Sequence, residues 1–433
     1  MKACIFTVVV SIVLTSFAVS QTLFQSKIDS ANQTNSTVNT YFPVIIDPGM
    51  TMRIGAENTV SILNGLAAAE DHFIKTKWFA EHSVAGKTGG IAGRLAKYAL
   101  IDLPADYFSV VLAHEFFGHG ARYRELDMNN IFYAFDMPPP YGNGGGEASN
   151  YESVEISQQE LLSIWQGGVE VHPLIWKNLQ MRWMANEEIN YREASQYYWA
   201  QQIMMDYIQK TDEDLTNGTT DNDLRAYVRI INANAGHTDL QHLPLTVKDL
   251  KSRMLLNVIN PFFYYSVFTI LKTYFWDGNR SNSMPVISIG KVGYLPAFRS
   301  GLTPFGIEYH FENYLRFNRK VALLDLSYGD QSLDNTWGGV GVSVQNMIES
   351  PQWSINFYGN IWQQPDLAFG INPSVKKGGG LGGAFSVRGY YHLKNSAVPF
   401  SAVIEMGYKS TGFLEGYAID ASPILAIGLA MRH

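Results

Sequence analysis

The chain has 433 residues, a formal net charge of −7 and a sequence pI near 5.8. That balance argues against nucleic acid as a partner, which usually needs a strongly basic face, so none is expected. Aromatic residues reach 13% while charged residues stay at 16%, below the usual quarter, a mixture that suits an envelope protein with an aromatic, membrane-facing surface.

The chain opens on Met1-Lys2, continues apolar or small from Ala3 to Val19 and ends this run on Ala18-Val19-Ser20. A positive start, a short apolar run and a small-x-small end predict a secretory signal peptide over residues 1–20, cut after Ser20. A membrane anchor would need a longer apolar run. The one cysteine, Cys4, lies inside this segment. The exported chain would therefore carry no disulfide and no lipid-anchoring cysteine, as suits a bacterial envelope protein. Residues 21–40, rich in Ser, Thr, Asn and Gln, are expected to form a flexible leader.

Residues 41–280 read as a mainly helical domain. Apolar residues fall at helical spacing from Val60 to His72, and small residues follow from Ala85 to Gly93. A further helix is expected from about Pro104, which suits a first turn, to Leu126. Its apolar run Tyr107–Ala113 leads into His114-Glu115-Phe116-Phe117-Gly118-His119-Gly120. Two histidines and a glutamate on one helix are the ligands and base of a zinc hydrolase. The common spacing puts the histidines four apart; here they are five apart. On a regular helix the second imidazole would be turned by roughly 140° from the first. Both reach one metal only if the helix holds an extra residue, as in a π-bulge, and Gly118 makes that distortion cheapest. The same residues also fit a plain core helix with hydrogen-bonded histidines. The metal reading is preferred because an apolar helix that suddenly carries His, Glu and His needs a partner for them.

This stretch resembles the H-E-x-x-G-H signature of the dipeptidyl-peptidase III family of zinc metallopeptidases, over about seven residues. The family's second motif, a Glu-Glu pair followed by Arg or Lys, Ala and an acid, is not present in that form. The resemblance implies a gluzincin-like zinc site and a glutamate ligand on a later helix, about fifty residues on. Glu170, 51 residues past His119, matches that place. His172 is the alternative ligand or a transition-state donor. Glu187 and Glu188 form an acidic pair but stand further off and fit a solvated helix start. His237 and His242 repeat the five-residue spacing in a polar loop. With zinc held by His114, His119 and Glu170, Glu115 is the expected general base, and His172, Tyr191 or Arg122 the expected oxyanion donor.

Pro138 to Gly146 is a proline- and glycine-rich loop, read as a connector or a lid over the site. Gln158 to Met184 is a second apolar helix region, interrupted by Gly167-Gly168 and Pro173. Glu187 to Lys210 reads as a long helix, and Asp212 to Asp223 as a polar loop. Leu250 to Trp276 is long enough to span a bilayer, but Pro261 and Lys272 favour a buried or interfacial helix.

From Ser283 to His433 the period changes to two. Phe305 to Phe311, Trp353 to Ile361, Phe385 to Tyr391 and Phe400 to Tyr408 each alternate, and further strands are expected near Val286, Val321, Gly339 and Pro423. About eight strands of roughly ten residues predict an antiparallel β-barrel over 283–433 of outer-membrane type. Its polar face would hold Glu308, Glu312, Arg388, Glu405 and Lys409. Which face points inward is open, and a soluble eight-stranded barrel or sandwich with an apolar core fits the same alternation turned inside out. The ending Arg432-His433 departs from the usual aromatic terminus. The expected fold is thus α+β: a helical metallopeptidase-like domain followed by an antiparallel barrel.

The function expected is an envelope zinc-dependent metallopeptidase with a periplasm-facing helical domain, a peptide or protein substrate, Zn2+ as cofactor and outer-membrane lipid around the barrel. The alternatives are a non-catalytic outer-membrane barrel protein whose helical domain binds metal or a partner, and a secreted soluble hydrolase with a β-rich accessory domain.

Overall fold

The structure, a computed structural model, describes residues 41–73, 84–128, 131–135, 145–148, 156–216, 222–317, 320–333, 335–369, 376–393 and 400–432. The expected signal peptide, the leader and residues 138–144 of the proline–glycine loop lie outside the described residues.

The first described element is a strand, β1 (Tyr41–Ile46), where the helical domain was expected to begin. Helices α1 (Met52–Phe73) and α2 (Val84–Lys97) follow. A π-helical segment (Tyr98–Asp102), α3 (Leu103–Leu112), a second π-helical segment (Ala113–His119) and α4 (Gly120–Glu125) then succeed one another without a gap. A small hairpin pairs β2 (Phe132–Phe135) with β3 (Gly145–Ala148).

Next comes α5 (Gln158–Asn186), opened by a capping box in which Ser157 and Glu160 exchange side-chain and backbone hydrogen bonds. Neither Gly167-Gly168 nor Pro173 interrupts it, contrary to expectation. Almost the whole stretch from Ser163 to Trp176 is buried, and burial of that length outweighs the local penalties of glycine and proline. Then come β4 (Glu188–Asn190), α6 (Tyr191–Lys210), α7 (Asp223–Asn234), α8 (Val247–Met254) and α9 (Pro261–Phe268), which continues as a π-helical segment (Thr269–Trp276). The run Leu250–Trp276 is therefore broken before Pro261, with a bend of 62°. Among the described residues no single helix is long and apolar enough to cross a membrane.

The remaining strands are β5 (Ser281–Ser283), β6 (Ile287–Ile289), β7 (Val292–Thr303), β8 (Gly306–Phe317), β9 (Lys320–Gly329), β10 (Gly338–Glu349), β11 (Trp353–Phe369), β12 (Lys376–His392), β13 (Phe400–Lys409) and β14 (Ser422–Arg432). β5 pairs with β4, and the others join β1 in one ten-stranded sheet, order β1-β14-β13-β12-β11-β10-β9-β8-β7-β6. The pairings are antiparallel, and β1 runs against β14 from Tyr41↔Arg432 to Ile46↔Ile427. Pro43 fits there because β1 is an edge strand. The strand expected near Val286 is two, β6 and β7, joined through Gly290 at φ 60°. No pairing joins β6 back to β1 among the described residues, so the expected closed eight-stranded barrel is not found; the sheet is open and ten-stranded.

The polar face of the sheet is the inner one. Arg299 donates to Glu312 at 2.6 Å and to Glu415 at 2.9 Å. Arg388 donates to Glu405 at 2.7 Å, and Lys177 of α5 to Glu415 at 2.9 Å. The Lys409 ammonium is held by the carbonyls of Ser410, Gly412 and Ile419. Helix and sheet share one apolar core: Trp176, Leu179 and Trp183 pack in the same cluster as Leu295, Ile307, Tyr314 and Leu323. The outer face is apolar and open, with Ile361 at 61%, Leu381 at 82% and Ile427 at 65% exposure.

Candidate metal centre

The second π-helical segment coincides with the motif. The Gly120 N–H bonds to the Glu115 carbonyl, five residues back, and this wider winding brings residues five apart to one side. His114 Nε2 and His119 Nε2 stand 3.3 Å apart. With Glu115 they form a group whose donor atoms all lie within 4.8 Å of one another.

Glycines set how closely α5 approaches. A Cβ on Gly118 would lie 2.7 Å from the Gly167 carbonyl oxygen and 2.8 Å from Gly168 Cα. A Cβ on Gly168 would lie 2.3 Å from both His114 Nε2 and His119 Nε2. The space in front of the two nitrogens exists because residue 168 has no side chain.

Hydrogen bonds fix the ring tautomers. His172 Nδ1 lies 2.7 Å from the Ala200 carbonyl, which only accepts, so the proton is on Nδ1 of neutral His172. Its Nε2 must then accept from His114 Nδ1, 3.1 Å away, which leaves His114 Nε2 with its lone pair outward. His119 Nδ1 likewise donates to the Ile164 carbonyl at 2.8 Å. Burial, with His119 and His172 adding to it, holds His114 well below the usual histidine range. Burial brings His172 down to about 4 against the opposing pull of the Ala200 carbonyl. Near neutral pH both rings are uncharged, as ligation and its support require.

These residues fit a zinc ion. Two ligand atoms of a tetrahedral zinc, each about 2.05 Å from it, stand about 3.3 Å apart. The His114–His119 separation has that length, and each imidazole has its second nitrogen engaged by a neutral partner, as metal-bound imidazoles do.

Glu170, expected as the third ligand, is not brought to this group. Its carboxylate receives Arg122 Nη2 at 2.5 Å and the Gly416 N–H at 2.7 Å. It lies on α5, which packs against the π-helical segment, but the buried Arg122 claims it. Arg122, a candidate oxyanion donor, is also bound to Glu125 and the Tyr417 carbonyl. Tyr191 accepts from Lys97 and stacks on Tyr274 at 3.6 Å. Glu187 does not start a helix: it ends α5 at φ 56° and pairs with Arg316. His242 pairs with Asp239 on the surface.

Two residues not expected from sequence stand at the site. Asp223 Oδ2 lies 3.3 Å from His119 Nε2, and Tyr207 donates to the same oxygen at 2.8 Å. The Tyr207 ring meets His114 edge-on, centroids 5.8 Å apart. Asp223 was assigned to a polar loop; in the structure Asn222 caps α7 at Leu224 and Arg225. The Asn-Asp pair ahead of an apolar stretch was the available signal.

No protein-family model, curated protein or solved structure matches this chain. The likeness to dipeptidyl-peptidase III stays confined to the motif.

Proposed function

We propose that this chain is a zinc-dependent hydrolase of peptide bonds. The observation that carries this reading is the pair of imidazoles whose Nε2 atoms face each other 3.3 Å apart, beside Glu115, while each Nδ1 is engaged elsewhere. Two buried ring nitrogens that face each other must share either a proton or a cation, and zinc is the cation this donor set suits. A bound zinc ion would polarise a scissile carbonyl and bring a water's pKa to about 7. His114 and His119 would hold it. Glu115, inside the same 4.8 Å group, would take the water proton and carry it to the leaving amine, as a general base then acid. Gly168 keeps side chains out of the space in front of the two nitrogens, where the ion would sit. The peptide substrate follows from the motif's resemblance and from no other observation.

The test is hydrolysis of a peptide library by wild type and Glu115→Gln, both zinc-loaded. A lost general base should lower kcat by about 10²–10⁴-fold with zinc retained. Equal rates would remove Glu115 from the mechanism. Absence of hydrolysis in loaded wild type would favour the non-catalytic metal-binding reading.

The apolar outer face supports placing the sheet against lipid. On β13, Phe400, Ile404, Met406 and Tyr408 point out, while Ser401, Val403, Glu405 and Lys409 are buried. That is the sidedness of an outer-membrane barrel wall, and the helical part would then stand in the periplasm.

A further inference from the structure

We propose that Asp223 is the third protein ligand of the metal and that Tyr207 positions it. This rests on the zinc reading above. A zinc site with two imidazoles needs at least one more protein donor, and catalytic sites keep a fourth position open. Asp223 Oδ2 lies 3.3 Å from His119 Nε2, the same ligand-to-ligand distance that separates the two histidines. Each of these two separations matches an edge of a zinc tetrahedron, about 3.3 Å. Asp223 stands outside the 4.8 Å group of His114, Glu115 and His119, so its carboxylate would turn inward about its side-chain bonds to close on the ion.

The surroundings of Asp223 repeat the pattern at the histidines. His114 is held by His172, and His119 by the Ile164 carbonyl. Asp223 is held by Tyr207, whose hydroxyl donates to Oδ2 at 2.8 Å and accepts the Asp223 backbone N–H at 3.1 Å. Each ligand thus has an outer partner that fixes its orientation, the usual arrangement around a bound metal. Three elements converge: the π-helical segment gives the histidines, α6 gives Tyr207 and α7 gives Asp223. A simple ion pair between His119 and Asp223 would explain one of these contacts. A protonated His119 shared between Asp223 and His114 would make the same contacts, but it would bind no zinc.

The experiment is zinc affinity of the full purified chain, measured by chelator competition, for wild type, Asp223→Asn, Tyr207→Phe and His114→Ala. Circular dichroism of the metal-free proteins controls for folding. Asp223→Asn keeps the shape and the acceptor for Tyr207. It should weaken zinc by more than the 10–100-fold that loss of an outer partner costs, and Tyr207→Phe should fall within that range. A second variant reads ligation directly. Asp223→Cys, loaded with cobalt(II), should gain a thiolate-to-cobalt charge-transfer band; Cys4 is the chain's one native cysteine, and wild type is the blank. Wild-type affinity in Asp223→Asn, or cobalt bound to Asp223→Cys without that band, would overturn the assignment while leaving the two-histidine site intact. No zinc in wild type would overturn the underlying reading and this one with it.

Discussion

At the scale of single residues, the centre depends as much on a missing side chain as on the ligands. Gly168→Ala would place a methyl 2.3 Å from both Nε2 atoms, closer than any nonbonded contact allows. One imidazole must turn away, and zinc affinity should fall at least as far as in His114→Ala. Gly89→Ala on α2, with nothing within 4 Å of its Cβ, is the matched control and should bind as wild type. Equal zinc binding by both variants would show that the metal does not sit over residue 168. His114, Glu115 and His119 were legible in the sequence because all three lie on one short segment. That Glu170 pairs with Arg122 and that Asp223 stands beside His119 was not legible for one reason: spacing along a chain does not say which distant group a carboxylate meets.

At the scale of elements, the five-residue histidine spacing required a π-helical turn, and the structure has one at Ala113–His119. This was readable because only that winding brings both rings to one side. The continuity of α5 was not readable, since glycine and proline are local signals and burial is not. The contact between α5 and the π-helical segment also sets a pH response. Burial lowers His172 to about 4 in the folded chain, against about 6.5 unfolded. The folded state therefore binds fewer protons between these values. The stability concerned is complete above pH 6.5 and is lost as pH falls from 6.5 through 4, by about 3 kcal/mol. His114, shifted the same way, adds to it. In metal-free protein the melting temperature should drop on acidification across this range, and by less in His172→Asn. An identical drop in the variant would mean that His172 does not carry the response.

At the scale of the whole molecule, a period of two was enough to find most strands but not the sidedness of the sheet. The helices decide it. Lys177 of α5 and Glu57 of α1 reach the charged face, so that face is interior and the apolar side is left outside. β1 was not legible because its partner, β14, is nearly four hundred residues away. Each large apolar side chain on the outer face forgoes about 1.5–3 kcal/mol of burial while it stands in water. The outward side chains of β12, β13 and β14 should accordingly be shielded by lipid. Cysteines placed at Ile404, Met406 and Ile427, each labelled with a polarity-sensitive dye, should report an apolar surround in liposomes, and one at exposed Asp239 an aqueous one. Equal aqueous signals at all four sites would contradict the lipid-facing assignment.

The account turns on a metal at His114 and His119, and the most direct measurement is the zinc content of the full chain purified in zinc-containing buffer. Wild type should hold close to one zinc per chain. His114→Ala and His119→Ala should hold almost none while keeping their circular dichroism, and His242→Ala should match wild type. Wild type without stoichiometric zinc, or histidine variants that retain it, would contradict the account.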